Sequence, residues 1–94
     1  MSVVIIGGNE RMERQYADIC RRYSYKPKIY TKTSGSVRGI GSPDLIVLFT
    51  GTVSHKMLRS LESEIKGQNI PIARSHTSSA TALRNILREN SGRV

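Results

Sequence analysis

Leu45-Ile46-Val47-Leu48-Phe49-Thr50-Gly51-Thr52-Val53-Ser54-His55-Lys56 is the stretch that decides the fold. It opens with five apolar residues in a row, Leu45 to Phe49. A short continuous run of this kind, bounded by turn residues, reads as a strand buried on both faces, the habit of parallel sheets. Thr50-Gly51-Thr52 breaks the run. Val53, Met57, Leu58, Leu61 and Ile65 then recur at helical spacing, which predicts a helix over 53–66. Thr52 or Ser54 is placed to cap that helix and Gly67 to end it. His55 and Lys56 fall in its first turn. A strand, a turn and a helix in this order put the turn at the carboxyl end of a strand, where open parallel sheets bind their ligands.

The same grammar holds on both sides. Upstream, Val3-Val4-Ile5-Ile6 is a buried strand that runs into Gly7-Gly8-Asn9. Two glycines there permit a tight turn and close backbone approach. They are only a fragment of a dinucleotide fingerprint, because Glu10-Arg11-Met12 supplies no later glycine. Asn9 is an N-cap candidate for an amphipathic helix over 10–23, whose apolar face is Met12, Tyr16, Ile19, Cys20 and Tyr23. Lys26-Pro27-Lys28-Ile29-Tyr30 reads as an edge strand, where proline and lysine are tolerated. Thr31 to Ser42 has the composition of a loop, with Val37 and Ile40 spaced for one short helical turn inside it. Downstream, Ile70-Pro71-Ile72-Ala73 is the last strand. Arg74-Ser75-His76-Thr77-Ser78-Ser79 connects it to a helix that packs Leu83, Ile86 and Leu87 inward, and residues 90–94 are a frayed tail. The predicted fold is α/β, a single domain with a four-stranded parallel sheet in the order 2-1-3-4 and three helices, half of a doubly wound, Rossmann-like or flavodoxin-like fold.

Composition narrows the function. Lys and Arg number 15 against 7 Asp and Glu, a formal net charge of +8. Such an excess points to a polyanionic partner: nucleic acid, an anionic surface or a phosphorylated ligand. The one cysteine, Cys20, excludes an intramolecular disulfide and a cysteine-based metal cluster, and it reads as a small core residue. No secretory leader and no membrane span are expected, so the setting is taken to be cytoplasmic. A 94-residue chain has a limited core, and a homodimer would extend it.

The predicted strand ends collect Gly7, Gly8, Asn9, Arg11, Lys32, Arg38, Thr50, Gly51, Thr52, Ser54, His55, Lys56, Arg74, His76, Ser78 and Ser79. Helix N-termini offer free N–H groups and a favourable dipole to anions, hydroxyls add donors, and Lys and Arg add charge. Phosphate or carboxylate recognition fits this set. The alternative is that the Ser, Thr and Asn residues only cap their helices. His55 and His76 are expected to approach one another, but no carboxylate stands beside either, and Asp44 belongs at the opposite end of the sheet. A hydrolytic triad or a zinc site is therefore not expected. Among the tyrosines, Tyr16 and Tyr23 fall on the apolar helix face, which leaves Tyr25 and Tyr30 freer to stack on bases.

Val3 to Asn9, the Thr50-Gly51-Thr52-Val53-Ser54-His55 block and Arg74 to Ser79 together resemble a family of small bacterial domains of unknown function. The resemblance covers nearly the whole chain, and the block from Thr50 to His55 is its most specific part. It implies a Rossmann-like domain of bacterial or mobile-element origin and no established reaction. By the family pattern, Gly7, Gly8, Thr50, Gly51, His55, His76 and Ser78 come first as site positions. Some longer relatives are thought to bind haem. That property is not carried over, and no cofactor is expected. The expected function is a non-catalytic basic module for a phosphate-bearing partner, foremost nucleic acid, with backbone-led contacts and little sequence selectivity. The alternative is a small-anion sensor or enzyme that uses His55 or His76 at the same edge.

Overall fold

The computed structural model describes residues 1–31, 37 and 39–91. Its elements are β1 (Ser2–Ile6), α1 (Glu13–Arg22), β2 (Lys26–Tyr30), β3 (Leu45–Phe49), α2 (His55–Ile65), β4 (Ile72–Ser75) and α3 (Ala80–Ser91), with a 3-10 turn over Glu10–Met12 leading into α1. The sheet runs β2-β1-β3-β4, and every neighbouring pair is parallel. Ile6 lies beside Tyr30 and Leu48, and Phe49 beside Ser75. The strands therefore stop together, and their following turns share one rim. Asp44 sits at the other end, where its Oδ2 accepts the Ser2 N–H at 2.7 Å.

Strand alternation divides the core in two. Val3, Ile5, Leu45, Val47 and Phe49 face Tyr16, Ile19 and Cys20 of α1 and Leu83 and Leu87 of α3. Val4, Ile6, Ile46 and Leu48 face Met57 and Leu61 of α2, together with Val37 and Ile40. All five residues of β3 are buried, as befits a central strand covered on both faces.

The boundaries differ from the sequence reading in several places, the smallest being α2, which runs from His55 to Ile65 rather than over 53–66. The first helix opens as a 3-10 turn, and its α-helical part begins at Glu13. Val37, Gly39 and Ile40 are not helical, and Arg38 between them lies outside the described residues. The Val37 and Ile40 side chains are drawn into the α2-side core and are 1% and 5% exposed. The last strand begins at Ile72, not Ile70. Pro71 has no N–H for a ladder, so only its carbonyl pairs, accepting the Ile46 N–H at 2.9 Å. Arg74 and Ser75 consequently lie in β4 rather than in the loop. At the far end Asn90 is helical, with its Nδ2 donating to the Ile86 carbonyl at 2.8 Å. Residues 92–94 fall outside the described part.

Cys20 is fully buried between α1 and the sheet. Burial pushes its thiol from 9.0 up to about 11, with the nearby Arg21 charge pulling the other way. The folded chain therefore holds the thiol proton more tightly than the unfolded chain does. The resulting stability is present below pH 9.0 and is lost as the pH rises towards about 11. About 2–3 kcal/mol is at stake. Urea midpoints taken at pH 8 and pH 10.5 should fall by less in Cys20→Ala than in the parent. Equal falls would show that the thiol does not contribute.

Candidate phosphate-binding rim

The β1–α1 turn is closed by the chain itself. The Gly7 N–H donates to the Tyr30 carbonyl at 2.8 Å, and the Gly8 N–H to Thr52 Oγ1 at 2.7 Å. The Asn9 N–H donates to the Tyr16 hydroxyl at 3.3 Å, and the Arg11 N–H to Asn9 Oδ1 at 3.0 Å. These are the N–H groups that a phosphate would need, and each already has an acceptor. Glu10 and Glu13 also stand at the start of the helix, where they compete with any anion for its positive end. Glu13 is fixed there by the buried Thr31, whose hydroxyl donates to its carboxylate at 3.1 Å. The Gly-Gly turn thus acts as a clasp between strands.

The other two turns are different. Ser54, not Thr52, caps α2, its Oγ accepting the Met57 N–H at 3.2 Å. Thr52 instead spends its hydroxyl on Gly8, tying the second turn to the first. The Thr50 N–H donates to the Ser75 carbonyl at 2.8 Å, and Gly51 lies directly against the carbonyl and imidazole of His76. Ser79 Oγ accepts the Ala82 N–H at 3.1 Å at the start of α3. Neither α2 nor α3 has an acidic residue in its first turn. His55, Lys56, Arg74 and His76 are all exposed here. Among the described residues, the side chains of Arg11, His55, Lys56, Arg74 and His76 have no hydrogen-bond or ionic partner. The ion pair that is present, Arg21–Asp18 at 3.6 Å, joins two exposed side chains on α1 and contributes little.

The structure therefore brings Thr50, Gly51, His55, Lys56, Arg74 and His76 together at the β3 and β4 ends. It gives Asn9, Ser54 and Ser79 capping roles, Thr52 a structural one, and leaves Ser78 on the rim through its backbone. Arg11 stands apart, on the first turn beside Glu10. Lys32 and Arg38 lie outside the described residues. Among those described, no group of three or more His, Cys, Asp or Glu is placed to hold a metal ion.

Three features escape the sequence reading. Tyr25, expected to be free, is 3% exposed and belongs to the core. Tyr16 is more than a core ring. Its hydroxyl accepts from Asn9 and donates to the Ser78 carbonyl at 2.5 Å, joining the first and last rim turns. A tyrosine in place of a phenylalanine on an apolar helix face was the available signal. Finally, a groove of about 340 Å³ opens on the flank of α2, lined by Val37, Arg59, Ser60, Ser63 and Glu64. Four of its five lining residues sit on one stretch of α2 and Val37 joins them from the preceding segment, and no motif announces it.

No described helix is long and apolar enough to cross a membrane. Neither curated proteins nor solved structures provide a match. The family described as "Uncharacterized protein conserved in bacteria (DUF2325)" matches residues 2–90. That match spans both halves of the sheet and all three of its rim turns, and the chain belongs to this bacterial family.

Proposed function

We propose that the chain is a non-catalytic basic module that binds a phosphate-bearing partner, foremost nucleic acid, in the bacterial cytoplasm. The observation that carries this reading is the row of cations left without partners, among the described residues, at and beside the rim: Lys56, Arg59 and Arg74. Unpaired cations grouped on one part of the surface are free to displace the counterions of a polyanion. The surface supports a charge-led contact, since Met1 is the one exposed large hydrophobic residue among those described. Phosphate contacts position a nucleic acid without reading its sequence, so selectivity should be low.

Fluorescence anisotropy with labelled oligonucleotides across a salt series tests the proposal. Three neutralised phosphates, one for each of Lys56, Arg59 and Arg74, predict a log–log slope of affinity against salt of about −3. Unrelated sequences of equal length should bind within a few-fold of each other. No binding at low salt would remove the nucleic-acid reading. The two exposed imidazoles on one rim favour a second reading, a small anionic ligand. A nucleotide or inorganic phosphate that raises the melting temperature, with no oligonucleotide bound, would favour it instead.

A further inference from the structure

We infer that the partner is double-stranded nucleic acid and that it is received on the α2 side of the sheet. This inference rests on the nucleic-acid reading above. Its first support is the fate of the aromatic residues. The chain has four tyrosines, one phenylalanine and no tryptophan. Tyr16, Tyr25 and Phe49 are buried. Tyr23 and Tyr30 are half-buried and packed against the two cores. Proteins that hold single strands stack successive bases on exposed aromatic faces. This chain leaves no Tyr or Phe ring fully exposed for stacking. The imidazoles of His55 and His76 remain at the rim, where their N–H groups suit phosphate oxygens. A duplex keeps its bases stacked on one another and presents phosphates, which is what the exposed groups can bind.

The second support is where the unpartnered cations lie. Ile72 faces the α2-side core and Tyr30 does too. Strand alternation therefore puts Arg74, and also Lys26 and Lys28, on that same side. Lys56, Arg59 and Lys66 belong to α2 and its C-terminal cap. Of these six, Lys28 alone has a side-chain partner among the described residues, the Gly39 carbonyl at 2.6 Å. The opposing acids are partly engaged as well, since Glu64 accepts the Gly39 N–H at 3.2 Å. Among the described residues the α1–α3 layer, with the turn before it, also carries unpartnered cations, Arg11, Arg14 and Arg22, but fewer of them, and they share that layer with four acids, Glu10, Glu13, Asp18 and Glu89, against Glu62 and Glu64 on α2. Arg21 pairs with Asp18, Arg84 donates to Thr81 Oγ1 at 3.3 Å, and Arg88 to Asn85 Oδ1 at 3.0 Å.

From Lys56 to Lys66 the α2 axis rises about 15 Å. That exceeds the reach of a single phosphate, whereas a duplex of that length carries about nine charges. The groove beside Arg59 adds the Ser60 and Ser63 hydroxyls on the same flank.

The experiment compares one labelled 20-mer as a single strand, as a DNA duplex and as an RNA duplex, against the parent chain and two double charge reversals. Arg59→Glu with Arg74→Glu changes the α2 side, and Arg84→Glu with Arg88→Glu changes the α3 side by the same net charge. Thermal melts show that each variant is folded. The parent should bind one or both duplexes at least tenfold more tightly than the single strand. The α2-side variant should lose at least tenfold of that affinity, and the α3-side variant less than threefold. Equal or tighter binding of the single strand overturns the duplex assignment. A larger loss in the α3-side variant overturns the surface. Failure of all three oligonucleotides to bind removes the nucleic-acid reading beneath both.

Discussion

Gly8→Ala should lower the thermal midpoint by at least about 10 °C. Gly8 sits at φ +89, where an L side chain is strained. That conformation alone costs a non-glycine residue about 1–2 kcal/mol. A Cβ would also stand 2.9 Å and 3.1 Å from Tyr16 ring and hydroxyl atoms and 3.2 Å from the Phe49 ring. Both rings are fully buried and cannot swing into solvent. Overpacking a well-filled core adds about 1–3 kcal/mol. In a domain of this size each kcal/mol moves the midpoint by about 4–8 °C. Gly67→Ala supplies the control. Gly67 also has a positive φ, +83, but nothing lies within 4 Å of the place its Cβ would take. It should show the conformational penalty alone. Equal midpoint shifts in the two variants would mean that the Gly-Gly turn yields to the extra methyl group, and that the clasp between the first two turns is loose.

The sheet was legible because its central strand announces itself. Leu45 to Phe49 can only be buried on both faces, and the turn-then-helix pattern after it forces a parallel crossover. The helices were legible through their stripes, since Met57, Leu61, Leu83 and Leu87 keep helical spacing and all are buried. The edges were harder. Ile70 looks like strand by its side chain, but Pro71 removes the N–H that the ladder needs, and pairing begins after it. Val37 and Ile40 look like one face of a helical turn, yet the α2-side core takes them individually. Neither outcome is written in local spacing, because each is decided by a partner far along the chain.

The rim was half legible. The strand-turn-helix pattern located three turns at one end of the sheet, but not which N–H groups would be free. Gly7, Gly8 and Asn9 read as an anion cradle because glycine-rich turns after strands often serve as one. Here Tyr30, Thr52 and Tyr16 supply the acceptors, and two of those three come from other elements. Open and closed glycine turns share a sequence and differ only in tertiary partners. On the proposed reading, contacts to an anion would therefore fall to the ends of β3 and β4 and the start of α2, where His55, Lys56, Arg74 and His76 are exposed.

Tyr16→Phe should then separate the scaffold of the rim from its charge. The ring would keep its place against Phe49, at 5.6 Å between centroids, so the apolar packing survives. What goes is one hydroxyl, which serves the Asn9 N–H and the Ser78 carbonyl together. Leaving part-buried polar groups unsatisfied costs about 1–3 kcal/mol, which predicts a midpoint lower by about 5–20 °C. The position of the loss matters as much as its size. Tyr16 joins the first turn to the last, and Gly51 holds the last turn against the second through His76. Without the hydroxyl, the segment carrying His76 and Ser78 keeps its contact with Gly51 but loses its tie to the Gly-Gly turn. Amide exchange should therefore quicken at Asn9 and through the start of α3, while the amides of β3 stay protected. If protection instead falls uniformly across the sheet, the hydroxyl supports the fold as a whole and does not tie the rim turns to one another.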